Sequence, residues 1–213
     1  MDHRLFTEFV ESFRDIDPIT VDTVLSGYRI CYENESPSNS MVFWHGGNLD
    51  KFDDVIAQKN GRYEFGPGLY ATTHYNTARK YSKGGRKLYR LTIDKGTELN
   101  SVKLPSQSVI YFIRTNVIRA KQKDILSRLS KYGDEIPAYV FMNVILNEKA
   151  IKPSGSRYIR QFLINSGIDY EIVQNAFGWG ETMIVLYNMK KISKVEQITP
   201  KDKIEVFDLP TVK

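Results

Sequence analysis

The residue pattern predicts a mixed α+β fold around a largely antiparallel sheet. Short apolar runs of strand character lie towards both ends, and helix-like periodicity fills the middle. A hydrophobic content of 41% over 213 residues is enough for one packed domain and too much for a disordered chain.

Taken in order, residues 4–13 place Leu5, Phe6, Phe9, Val10 and Phe13 at helical spacing, which predicts an opening amphipathic helix. Residues 28–32 read as a short strand and 33–40 as a polar loop. The apolar run 41–44 reads as a buried strand ending at His45-Gly46-Gly47. Residues 49–58 read as a helix with Asp50, Asp53 and Asp54 near its start, where carboxylates suit the helix dipole. A turn at Asn60-Gly61 and the Gly66-Pro67-Gly68 segment lead to a strand at 69–72, a helix at 76–81 and a strand at 87–93. Residues 104–150 are mostly helical in pattern, and 158–164 form a helix closed by Ser166-Gly167 as a glycine C-cap. Strands follow at 170–173, 182–187 and 192–198, with a further one at 204–207. No repeat or linker is visible, so a single domain over 1–213 is expected, with an extension over 1–40, a core over 41–198 and a helical insert over about 104–166.

One cysteine, Cys31, excludes an intramolecular disulfide, and Cys31, His3, His45 and His74 lack zinc-ligand spacing, so no metal is expected. Neither a signal core nor an apolar run of membrane-spanning length is present, which points to a reducing cytoplasm and no membrane partner. Positive charge is uneven. Between Tyr111 and Gly133 lie Arg114, Arg119, Lys121, Lys123, Arg128 and Lys131 against Asp124 alone, an excess equal to the +5 of the whole chain. Such clustering suits phosphate contact, and it also suits a solvated helix face.

Three segments carry candidate chemistry. In Phe43-Trp44-His45-Gly46-Gly47, a His at the end of a buried strand can present a ring nitrogen to a ligand hydroxyl, and glycine lets backbone approach a planar amide. A core histidine has the same local pattern. In Phe65-Gly66-Pro67-Gly68-Leu69-Tyr70-Ala71-Thr72, Gly66, Gly68 and Ala71 match a dinucleotide-binding G-x-G-x-x-A pattern. A Rossmann turn is nevertheless excluded, because Pro67 sits in the turn and a strand follows it. Tyr70 and Tyr81, eleven residues apart on a strand and on the next helix, can instead close on both faces of a flat ring. In Gly178-Trp179-Gly180-Glu181-Thr182-Met183-Ile184-Val185-Leu186-Tyr187, a carboxylate stands at the mouth of a strongly apolar strand.

As a set these segments resemble the poly(ADP-ribose)-polymerase-like, His-Tyr-Glu branch of the ADP-ribosyltransferases. That branch has a strand ending Trp-His-Gly, a Phe-Gly-x-Gly-[Ile/Leu]-Tyr segment with a second Tyr eleven residues on, and a strand of the form Glu-x-x-Ile-Val-x-Tyr. The matching residues are Trp44-His45-Gly46, Phe65 to Tyr70 with Tyr81, and Glu181 with Ile184, Val185 and Tyr187, so the resemblance covers roughly 41–198. It implies antiparallel strands in a split sheet with flanking helices, and NAD as co-substrate. His45 would bond the nicotinamide-side ribose and Gly46 would take the carboxamide through its backbone. Tyr70 and Tyr81 would sandwich nicotinamide beside Gly68, and Glu181 would stabilise the developing charge at the anomeric carbon and orient the acceptor. Three departures stand out. Gly47 replaces the usual Ser or Thr. Thr77 replaces a basic residue common in polymerases, which speaks against polymer elongation. Trp179 replaces the Glu or Gln of arginine-directed enzymes.

The expected activity is therefore mono-ADP-ribosyl transfer from NAD to a macromolecule. Nucleic acid is the first choice of acceptor, guided by Arg114, Arg119, Lys121, Lys123 and Arg128, with Trp179 tuning acceptor choice. A protein side chain is the alternative acceptor, and a non-catalytic module binding NAD or ADP-ribose is the third reading. By analogy alone, a small transferase of this kind resembles a bacterial or phage toxin or defence effector, and an antitoxin or inhibitor protein would be its partner.

Overall fold

The computed structural model describes residues 39–49, 65–82, 87–151, 155–176 and 180–198. The helix expected at 4–13, the helix expected at 49–58 apart from Leu49, the strands expected at 28–32 and 204–207, the turn at Asn60-Gly61 and Trp179 lie outside the described residues. Backbone contacts divide the chain after Asn39, and every element below belongs to the unit Ser40–Lys213.

Among the described residues the elements run β1 (Ser40–Gly47), β2 (Leu69–Thr72), α1 (Tyr75–Tyr81), β3 (Lys87–Asp94), β4 (Lys103–Pro105), α2 (Ser106–Asn116), α3 (Arg119–Leu129), β5 (Glu135–Pro137), α4 (Ala138–Asn147), α5 (Ser156–Asn165), β6 (Tyr170–Gln174), β7 (Thr182–Leu186) and β8 (Ile192–Ile198). Six strands form one sheet in the order β6-β7-β2-β1-β3-β8. Every pairing in it is antiparallel, so the fold is α+β.

β1 continues through His45, Gly46 and Gly47 instead of ending at them, because β3 pairs with all three at Tyr89, Leu88 and Lys87. Its other edge behaves differently. β1 and β2 share the single register pair Trp44↔Thr72, and the sheet opens beyond it.

The pleat sends alternate side chains to opposite faces. On one face Met41, Phe43, Leu69, Ala71, Leu91, Ile93, Ile184 and Leu186 form a core. On the other, Val185 and Tyr187 join a core built from the helical layer, including Val109, Phe112, Ile125, Phe141, Ile145 and Leu163. β7 is buried at all five positions, which accounts for the unbroken apolar run Met183-Ile184-Val185-Leu186.

The middle third holds the expected helices and one feature that the periodicity does not show. Lys103-Leu104-Pro105 and Glu135-Ile136-Pro137 pair as a two-stranded sheet, each leading through its proline into a helix. The two helix starts are tied crosswise, Ser106 N–H donating to the Asp134 carbonyl at 2.8 Å and Ala138 N–H to the Val102 carbonyl at 2.9 Å. These bonds satisfy N-terminal donors that helices otherwise leave open. α5 ends as expected, with Gly167 at φ +79° and the Ile168 N–H donating back to the Leu163 carbonyl at 3.0 Å.

α1 packs on β1 through a glycine. A Cβ at Gly46 would stand 1.9 Å from the Ala78 carbonyl oxygen, so the helix backbone lies directly on the strand. Around this contact Trp44, Tyr75, Ala78 and Leu88 form a small core, Trp44 and Tyr75 meeting edge to face at 5.3 Å. Gly46→Ala is expected to push α1 off the sheet and to cost about 2–3 kcal/mol, as overpacking against backbone does. Chemical denaturation measures the loss, and unchanged stability would show that the helix is not seated there.

Candidate active site

The opening between β1 and β2 leaves strand edges that need other partners. His45 supplies one. Its Nδ1 lies 2.7 Å from the Tyr70 carbonyl oxygen. A carbonyl only accepts, so Nδ1 carries the proton and Nε2 carries a lone pair. Burial lowers the His45 pKa, against the bond to Tyr70, which raises it, and the neutral ring is favoured. Nε2 is buried and has no hydrogen-bond partner among the described residues. A Cβ at Gly47 would stand 2.7 Å from it, so the missing side chain at 47 leaves that nitrogen room. The ring stacks loosely on Tyr89 at 6.3 Å.

Glu181 enters β7 from Gly180, whose φ of +73° is a left-handed turn that glycine takes without strain. The residue is 3% exposed. The Thr72 hydroxyl donates to Oε1, and the Thr77 hydroxyl donates to Oε2 at 3.1 Å. His74 Nδ1 lies 3.7 Å from Oε2. Among the described residues no Lys or Arg pairs with this carboxylate. The strand mouth is locked by Thr73, whose backbone N–H donates to the Thr182 carbonyl at 2.9 Å while its hydroxyl accepts from the Thr182 N–H at 3.0 Å.

Periodicity puts each tyrosine on a face that also carries one of the carboxylate's threonine partners. Tyr70 lies two residues before Thr72, on the same face of β2. Tyr81 lies four residues after Thr77, on the same face of α1, and is 55% exposed. The Tyr70 hydroxyl is not spare, since it donates to the Gly66 carbonyl at 2.8 Å and accepts from the Phe65 N–H at 3.2 Å. Tyr70 is therefore pinned at both its carbonyl and its phenol. Gly68 is buried, and a Cβ there would stand 2.8 Å from the Leu186 carbonyl oxygen, so its smallness has a packing reason beside the cofactor contact expected of it. Gly46 is likewise committed to α1 on one side.

Sequence reasoning did not single out Thr72, Thr73 or His74, and treated Thr77 only as a departure from a family pattern. Their signal was available in the alternation from Tyr70 and in the helix face leading to Tyr81.

A second polar group lies behind Tyr70. Tyr187 donates its one hydroxyl proton to Glu171 Oε2 at 2.9 Å, and the same oxygen lies 3.3 Å from the Phe65 carbonyl. Burial pushes the Glu171 carboxyl up to about 7, with the Tyr187 bond opposing and the Glu98 charge adding to the rise. Burial and then Glu171 push the Tyr187 phenol well above its ordinary 10.0, so it stays a donor.

The expected basic surface is partly committed. Lys121 Nζ donates to the Glu148 carbonyl, and Arg128 Nη1 lies 2.7 Å from Glu148 Oε1. Arg114, Arg119, Lys123 and Lys131 are exposed. Among the described residues no group of His, Cys, Asp and Glu could hold a metal ion, and no helix is long and apolar enough to cross a membrane. No family model, no curated protein and no solved structure matches the chain.

The Glu171 geometry fixes a sign. A carboxyl with a folded pKa near 7 and an unfolded value near 4.5 binds protons more tightly when folded, so its contribution to stability is full below pH 4.5 and is lost as the pH rises through 7. Glu171→Gln keeps an acceptor for Tyr187 and cannot ionise. The variant should gain about 3 kcal/mol over the native chain between pH 4.5 and pH 8. Paired denaturation curves at those pH values measure it, and parallel pH profiles would contradict the assignment.

Proposed function

We propose that the chain is an NAD-dependent mono-ADP-ribosyltransferase acting on a macromolecular acceptor. The observation that supports this reading is that β1 and the start of β7 each carry a buried, chemically active group. They are a neutral His45 whose Nε2 lone pair has no partner among the described residues, and a Glu181 carboxylate held by two hydroxyls beside His74, with no Lys or Arg paired to it among the described residues. Both are costly to bury, and such costs concentrate at functional sites.

The substrate fits these groups. A ribose hydroxyl has the proton that His45 Nε2 lacks. Tyr70 and Tyr81 present aromatic surface from β2 and α1 for a flat nicotinamide ring, a contact worth around 1 kcal/mol beyond burial. Nicotinamide leaves NAD as a neutral molecule, so the protein has to position the ribose and stabilise positive charge growing at its anomeric carbon. Glu181 does that from a site where a fixed carboxylate acts more strongly than it would in water. The same carboxylate argues against a non-catalytic NAD-binding module, which gains nothing from a buried negative charge.

Nucleic acid remains the first acceptor class, on the exposed cations Arg114, Arg119, Lys123 and Lys131. The protein side-chain reading gains from Glu148, which takes Lys121 and Arg128 out of that surface.

Glu181→Gln should lower release of nicotinamide from NAD by at least ~100-fold, the scale for loss of a key electrostatic or acid–base group, while NAD still binds. Full turnover in the purified variant would remove the assignment.

The acceptor classes separate by salt dependence. Changing Arg114, Arg119 and Lys123 to Glu should flatten the log–log salt slope of single-stranded RNA binding by about 2, at roughly 0.7 per lost phosphate contact. Filter binding across a salt series reads this. An unaltered slope would favour the protein acceptor.

A further inference from the structure

We propose that Tyr111 and the cations Arg114, Arg119 and Lys123 form a docking surface for single-stranded RNA, the ring taking an unpaired base and the cations its phosphates. The inference rests on the reading above for its choice of nucleic acid. It adds what that reading leaves open, the state of the strand and the side chain that meets its bases.

Tyr111 is 73% exposed, more than any other large hydrophobic residue described. A single exposed tyrosine is ordinary, and its setting decides what it can do. On α2, Tyr111, Arg114 and Thr115 are exposed while Val109, Phe112 and Ile113 are buried, so ring and guanidinium share the outer face one turn apart. α3 is held against the end of that face. The Gln122 side chain donates to the Arg114 carbonyl at 3.2 Å and to the Val117 carbonyl at 3.0 Å, and the Ile118 N–H donates to the Ala150 carbonyl at 3.0 Å. Arg119 and Lys123, four residues apart on α3, bracket Gln122 in the chain and are both exposed.

The charge of this corner is one-sided. No Asp or Glu occurs from 99 to 123, and Asp124 is the first acid beyond. Among the described residues no ion pair uses Arg114, Arg119 or Lys123. Glu148, at the end of α4, is already paired with Arg128 at 2.7 Å. Asp134 and Glu135 lie at the other end of α2, where the Asp134 carbonyl accepts from the Ser106 N–H at 2.8 Å. Other exposed rings have different neighbours. Tyr132 and Tyr139 stand on either side of that acidic pair in the chain, and Tyr158 has Arg157 over its face at 4.8 Å. Among the described residues no ring or cation lies over Tyr111.

Positive charge without acids selects a polyanion, and an exposed ring beside it selects one whose flat faces are free. A duplex hides its base faces in the stack, whereas RNA loops and ends splay bases outward onto aromatic side chains and guanidinium planes. A strand laid along α2 stacks a base on Tyr111 and runs its phosphates over Arg114 and then Arg119 and Lys123. Stacking needs only a π-face, so the surface tolerates sequence, while phosphate contacts release counterions and make binding salt-dependent. Salt therefore separates the two contributions.

The test is fluorescence anisotropy of the full chain with a short end-labelled single-stranded RNA, with the same strand annealed to its complement, and with poly-glutamate as competitor. The single strand should bind at least ~10-fold more tightly than the duplex, the scale of one stacked base. Tyr111→Ala should weaken single-strand binding about tenfold at every salt concentration and leave the log–log salt slope as it is, since stacking releases no counterions. Tyr111→Phe keeps the ring and should bind like the native chain. Equal affinity for the duplex, native-like binding by Tyr111→Ala, or equal loss in Tyr111→Phe would each overturn the proposal. Displacement of RNA by poly-glutamate at equal charge would make an acidic protein the occupant, and a dimer in sedimentation that Tyr111→Ala dissolves would make it a second copy; either result overturns it too. Nicotinamide release from NAD, measured in parallel, keeps the two readings apart. A chain that binds the strand and releases none loses the transferase reading and keeps the surface. One that releases nicotinamide and binds no RNA loses the surface and keeps the chemistry.

Discussion

β1 and β2 part company after Trp44 and Thr72, and a sheet that opens must find partners for the backbone groups it leaves unpaired. The His45 side chain reaches the Tyr70 carbonyl, where a neighbouring strand would ordinarily supply an N–H. That one bond has three consequences. It holds the two diverging strands at a set spacing, it fixes the histidine tautomer, and it leaves a buried lone pair on Nε2. An apolar residue at 45 would leave the carbonyl unsatisfied at a cost of about 1–3 kcal/mol, so the residue that could serve a ligand also serves the fold.

The same economy holds for Glu181. A buried carboxylate needs hydrogen bonds, and here they come from β2 and α1, the elements that also carry Tyr70 and Tyr81. Thr72 is used twice, donating to the carboxylate and accepting from the His74 N–H. The strand end, the helix start and the carboxylate are therefore one hydrogen-bonded unit. A change in any member moves the others, which is how a site on two short elements keeps its geometry.

Much of this was legible in the residues. Leu69–Thr72 and Ile192–Ile198 match their expected bounds because apolar residues are framed by glycine, threonine or charge. The Gly167 cap was equally plain, since a left-handed residue after a helix is a glycine signal. Gly46 and Gly47 misled, because glycine is a poor strand former in isolation and pairing with β3 carries them. Three-residue β4 and β5 have no period to detect, and they exist through long-range pairing. In the candidate site, His45, Tyr70, Tyr81 and Glu181 stood out as residue types in context. The hydroxyls around Glu181 did not, since their role depends on residues about a hundred positions away. Glu148 was likewise invisible as the partner of Lys121 and Arg128, because it comes from the end of another helix.

β7 gives the Glu-x-x-Ile-Val-x-Tyr pattern a physical reading. Glu181 and Tyr187 are six residues apart, so alternation puts them on the same face at opposite ends of about 20 Å of strand. Between them the strand is buried on both faces and paired on both edges, and has little freedom to shift. At the far end the Tyr187 hydroxyl lies against the Phe65 carbonyl at 3.3 Å, and Tyr70 from β2 donates to the neighbouring Gly66 carbonyl. One rigid strand therefore sets both the carboxylate directly and, through the Phe65-Gly66 turn, the ring of Tyr70. The turn's backbone calls for glycine, since Gly66 stands at φ +108°, a conformation that L side chains rarely adopt. Glu171 completes the arrangement, because its buried carboxyl gives the Tyr187 proton a fixed acceptor and so determines which way that phenol faces.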